Sequence, residues 1–122
     1  MRILSFVLAS FIILGGITHF IQPSLFLPFI PEFLPRNLIN YLAGGAEILI
    51  GFSFFFRPTR LYASWAILFL MIAFLPLHII DVFLDNPAIG SKTLAYIRLP
   101  LQFVLIIWAW KANRLAYQAS NN

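Results

Sequence analysis

Four stretches of this chain are apolar over the length that crosses a bilayer, and the breaks between them are short. They cover 3–21, 38–56, 61–80 and 96–112. About 20 predominantly apolar residues in helical form span the hydrocarbon core. Backbone in hydrocarbon must satisfy its own hydrogen bonds, which a helix does within the segment. The pattern predicts an all-α, polytopic membrane protein, a four-transmembrane-helix bundle forming a single domain over 1–122. Composition points the same way: only 10% of residues are charged, against roughly 25% in soluble domains. The first stretch is too long for a typical signal-peptide core and is followed by no small-residue cleavage pattern, so a retained helix is expected.

The breaks differ in character. Arg57-Pro-Thr-Arg60 reads as a tight turn that makes the second and third helices antiparallel neighbours. Asp85-Asn-Pro-Ala-Ile-Gly-Ser-Lys92 reads as a polar loop, and the tail after Arg114 as a fraying end. Between the first two helices, residues 22–36 hold four prolines and three phenylalanines. Proline at this density forbids a regular helix, and the aromatic content argues against a solvated linker. A short apolar segment is expected there, lying in the membrane interface and capping one end of the bundle.

Charge sets the orientation. Arg2, Arg57, Arg60, Lys111 and Arg114 fall at one set of helix ends, and the acids Glu32, Glu47, Asp81 and Asp85 lie at the other ends or within helices. The positive-inside rule then puts both termini in the cytoplasm. The net charge of +4 is membrane topology rather than a nucleic-acid surface, since the cations are few and sit at the ends of apolar runs. The absence of cysteine excludes disulfides, thiol relays and thiolate metal sites.

Glu47 is the residue that asks for a function. Nine residues of its apolar stretch lie on each side of it, which places a carboxyl near the bilayer midplane. A charged residue there costs roughly 2.5–3.5 kcal/mol on insertion scales. Candidate companions are His19, His78, Arg98 and Gln102, all on the outward half by the same topology, with Asp81 expected as an exposed carboxylate at a helix end. Arg98 and Gln102 share a helix face, as do Gly44, Glu47 and Gly51, and Ser5, Ala9, Gly16 and His19. Small residues let helices approach closely, so these stripes are expected to face inward. Pro76 and Pro100 are expected to bend their helices near the cluster. The simplest arrangement pairs Glu47 with Arg98, with His19, His78 and Gln102 as hydrogen-bond partners. Three readings of the cluster stand open: a structural clamp, a ligand pocket or chemical site, and a metal site. No HxxxH or HExxH spacing supports the last, so no metal is assigned.

Five pieces in order resemble the DoxX family of small four-helix membrane proteins: Gly15-Gly-Ile-Thr-His19-Phe20, Leu42-Ala-Gly-Gly-Ala-Glu47-Ile-Leu-Ile-Gly51, Arg57-Pro-Thr-Arg60, Phe74-Leu-Pro76-Leu-His78 and Arg98-Leu-Pro-Leu-Gln102. The resemblance covers about residues 15–110. It implies a bundle in the bacterial cytoplasmic (inner) membrane and a link to membrane redox or oxidative-stress systems. Thiol chemistry found in some relatives does not carry over to a chain without cysteine. The expectation is an accessory subunit. Its cluster of His19, Glu47, His78, Arg98 and Gln102 would hold a quinone-like or lipid-like molecule, and its partners would be the bilayer and a redox protein or further copies of the chain. The alternatives are an interaction or assembly protein whose cluster only sets helix register, and an isomerase-type enzyme acting on a lipid-soluble substrate.

Overall fold

Glycines decide how the helices pair. The computed structural model describes residues 2–121 as four α-helices, α1 (Arg2–Ile21), α2 (Arg36–Phe54), α3 (Arg57–Phe83) and α4 (Lys92–Ser120), with two 3-10 turns, Pro23–Leu25 and Leu27–Phe29, between the first two. The closest pairings are α1 with α2 and α3 with α4, and α2·α3 and α1·α4 contacts close the ring. At the α1–α2 seam a Cβ on Gly16 would stand 2.7 Å from the Gly44 carbonyl oxygen, and one on Gly44 would stand 2.9 Å from that of Gly16. Two turns further along α2, a Cβ on Gly51 would collide with Ile13. The two backbones are therefore in contact, and only glycine fits.

The buried stripe of α2 is Asn40, Gly44, Glu47, Gly51 and Phe54, and that of α1 is Ser5, Leu8, Ala9, Ile12, Gly16 and His19. Both follow the 3–4 spacing of one helix face. Apolar side chains elsewhere are open: Phe33 in the Pro/Phe segment and Phe69 and Phe83 on α3 are 85%, 74% and 78% exposed. Among the described residues, α1, α3 and α4 are long and apolar enough to cross a membrane, with mean hydropathies of 2.1, 2.4 and 1.4 over their best windows. Asn37, Asn40 and Glu47 dilute α2, which falls short of the same mark.

The helices differ from the apolar stretches: α3 and α4 run further, while α2, expected over 38–56, starts at Arg36 and ends at Phe54. Arg57–Arg60 is not a turn but the first turn of α3, where Pro58 has no N–H to lose. Phe55 and Phe56 make the link. Thr59 Oγ1 donates to the Ser53 carbonyl at 2.6 Å, and Arg60 donates to those of Phe54 and Phe55 at 2.7 and 3.0 Å. The open carbonyls at the end of α2 are thus satisfied by the start of α3. The expected start of α4 at residue 96 gives way to Lys92. There Ser91 caps the helix by accepting from the Leu94 amide at 3.1 Å. The expected frayed tail is helical to Ser120, because Ala112, Asn113 and Ala116 are buried and Asn113 Nδ2 donates to Ser64 Oγ at 3.0 Å. Both α3 and α4 continue through their internal prolines.

The two ends of the bundle are filled differently. At the arginine-rich end, Leu8, Ile12, Phe54, Ile67 and Ala112 belong to one close-packed core. At the other end the same four helices enclose a cavity.

Candidate functional site

The cavity has a volume of about 470 Å³ and is partly open. Its walls come from all four helices, and the Pro/Phe segment supplies Leu25, Phe26, Phe29 and Ile30. Most of the lining is apolar. The polar exceptions are His19, Asn40, Glu47, His78 and Arg98.

Four of the five residues singled out by sequence therefore stand around one space. Gln102 does not line it. It is fully buried one turn along α4 from Arg98, and its Nε2 donates to the Met71 carbonyl.

The expected Glu47–Arg98 pair is not formed. Glu47 Oε2 instead lies 3.2 Å from His19 Nε2, the one ion-pair contact among the described residues. The cause is the glycine seam: Gly44 is one turn before Glu47 and Gly16 one turn before His19, so α2 presents its carboxylate to α1 rather than to α4. Arg98 makes neither an ion pair nor a hydrogen bond among the described residues, and its Nη1 is buried without a partner.

Asn40, which the sequence analysis passed over, fixes the state of the histidine. Its Nδ2 donates to the His19 carbonyl at 2.8 Å, so its Oδ1 is the atom facing His19 Nδ1 at 2.7 Å. An amide oxygen can only accept, so Nδ1 carries hydrogen and donates. Nε2 then lies 3.2 Å from Glu47 Oε2. The signal for Asn40 was present: it sits four residues before Gly44 on the same stripe.

Aromatic rings cover the histidines. Phe26 lies flat on His19, with centroids 3.7 Å apart and planes 15° apart. Phe29 meets His78 edge-on at 5.7 Å. Prolines 23, 28, 31 and 35 hold this segment in short turns rather than in a helix. Asp81, expected to be exposed, is 2% exposed and accepts from the amides of Ala88 and Ile89. It ties the α3–α4 loop down beside the cavity, where Ile89 joins the wall.

The model of a family described as a domain of unknown function (DUF8561) matches residues 8–113. The chain belongs to this family. No curated protein and no solved structure matches it. The span matched by DUF8561 takes in His19, Asn40, Glu47, His78 and Arg98, hence every polar group of the cavity. Among the described residues of this DUF8561 chain, no three His, Cys, Asp or Glu side chains converge as metal ligands would. The arrangement can hold an apolar body, donate hydrogen bonds from a free guanidinium, and give or take one proton at the Glu47–His19 contact.

Proposed function

We propose that this chain is a multi-pass protein of the bacterial cytoplasmic membrane, with both termini cytoplasmic. In this reading its outward cavity binds a quinone-like or lipid-like molecule in an accessory role to a membrane redox or oxidative-stress system. The observation that carries the reading is the cavity itself. At about 470 Å³ it falls in the ordinary range of ligand pockets, roughly 300–1,000 Å³, and Arg98 Nη1 is buried without a partner. A clamp that only fixed register would set Arg98 against Glu47.

Four crossings, with the Pro/Phe segment at the interface, complete the proposal. The polar residues that lower the hydropathy of α2 are turned inward: Asn40 is fully buried and Glu47 is 6% exposed. Leu38, Leu42, Leu49 and Phe52 face outward, so α2 shows lipid an apolar surface. The link to redox systems rests only on the resemblance of five pieces of the sequence to DoxX proteins. Native mass spectrometry of the protein released from mild detergent tests the ligand. A small molecule retained by the parent and lost from a folded Glu47→Gln variant supports the reading. Equal retention by both counts against it.

The Asn40–His19–Glu47 geometry also favours a second reading, an isomerase-type enzyme in which Glu47 and His19 exchange a proton with a lipid-soluble substrate. An imidazole oriented by a third group and in contact with a carboxyl is the arrangement acid–base catalysis requires. Chemical conversion of an extracted membrane lipid by the parent and not by Glu47→Gln is the outcome this reading demands.

A further inference from the structure

We infer that the cavity is selective for an amphipathic anion, a single acidic oxygen head group on an apolar tail, with Arg98 as the residue that selects for it. The inference rests on the ligand-pocket reading above and narrows it. It follows from where the charged groups around the space find their partners. Glu47 Oε2 is engaged by His19 Nε2 at 3.2 Å and makes no ion pair with Arg98. His78 packs against Phe29 and accepts or donates no hydrogen bond among the described residues. Asp81, the remaining acid nearby, is buried, spends both oxygens on the Ala88 and Ile89 amides, and makes no ion pair with Arg98. Lys92, which donates to the Val82 carbonyl at the same loop, brings a compensating positive charge to that corner.

Arg98 is thus a guanidinium in an apolar cavity with no counter-charge in contact and one fully buried nitrogen unpaired. A guanidinium stays protonated and offers donors in a planar fork that matches carboxylate and phosphate oxygens. An uncompensated buried cation is costly, and an anionic ligand removes that cost where a neutral one does not. The apolar walls from Phe11, Phe74, Leu77 and Leu105 accept the tail.

The test uses the full chain in a neutral maltoside detergent, titrated near neutral pH with four probes of similar apolar character: oleic acid, oleyl phosphate, oleyl alcohol and decylubiquinone. The two anions are expected to bind about tenfold or more tighter than the alcohol and the quinone, the difference of a charge-assisted hydrogen bond. Whichever anion binds tighter identifies a carboxylate or a phosphate head. Arg98→Gln is expected to abolish the preference while leaving alcohol binding within about twofold. Arg98→Lys, which keeps the charge, is expected to retain most of it. The inference is overturned if the neutral probes bind as tightly as the anions, or if the preference survives in Arg98→Gln. Should the glutamine variant not fold, the comparison of oleate with oleyl alcohol in the parent decides alone. Binding of all four probes without preference overturns anion selection and leaves the ligand-pocket reading standing, whereas binding of none overturns both.

Discussion

Asn40 grips His19 at two points, accepting from its ring Nδ1 at 2.7 Å and donating to its backbone carbonyl at 2.8 Å. The two residues lie on different helices, and neither contact reaches water. The hydrogen on Nδ1 is set by a residue that contributes no charge.

Replacing Asn40 with leucine, which fills similar space, leaves two buried groups of His19 without partners. Each unsatisfied group costs about 1–3 kcal/mol. Thermal unfolding in detergent is expected to show a clear drop for Asn40→Leu. An unchanged midpoint would mean that the double contact contributes nothing to the fold.

The glycine seam predicts opposite signs for neighbouring positions. A Cβ on Gly44 would stand 2.6 Å from the His19 Cβ, with backbone of α1 behind it, whereas one on Gly45 meets nothing within 4 Å. Gly44→Ala is expected to destabilise by about 1–3 kcal/mol through overpacking. Gly45→Ala is expected to be neutral or to stabilise by up to about 1 kcal/mol, since alanine is the better helix former. Chemical denaturation of the two variants side by side checks this, and equal effects would contradict the packing described.

Asp81→Ala removes the acceptor for two loop amides, while Asp81→Asn keeps one oxygen. Hydrogen exchange at Ala88 and Ile89 is expected to quicken in the order parent, Asn variant, Ala variant. Exchange that ignores the substitution would sever Asp81 from the loop and from the cavity wall that Ile89 forms.

Because the chain has no cysteine, single thiols report topology without background. Phe33→Cys and Phe56→Cys flank α2, and both side chains are exposed. A membrane-impermeant reagent is expected to reach position 33 from outside intact cells and position 56 only after the cells are opened. Labelling of both from one side would mean that α2 does not cross.

What the sequence made legible was what hydrocarbon makes expensive. His19, Glu47, His78 and Arg98 stood out because a polar group in an apolar run needs a reason, and the structure sets all four around one cavity. The stripes through Gly16, Gly44 and Gly51 were readable for the same reason, as small residues in helical register. Partner choice was not readable. Opposite charge suggested Arg98 for Glu47, but which helix lies nearest is decided by backbone contact at two glycines, and that gave His19. Asn40 escaped notice because an amide near a helix start resembles a cap. Asp81 and Gln102 were read by position along their helices, while their burial and partners depend on how the α3–α4 loop folds back and on where the Met71 carbonyl lies. The helical tail to Ser120 was missed because hydropathy falls there although one face stays buried.

The most direct test of the central claim, that the cavity is a ligand site and not a structural clamp, is an experimental structure of the protein crystallised from a lipidic mesophase with its co-purified lipid. The account predicts elongated density inside the cavity, with a head group within hydrogen-bonding distance of Arg98 Nη1, and Phe26 still stacked on His19. A closed cavity, with Arg98 swung onto Glu47 and no density beyond the protein, would contradict it.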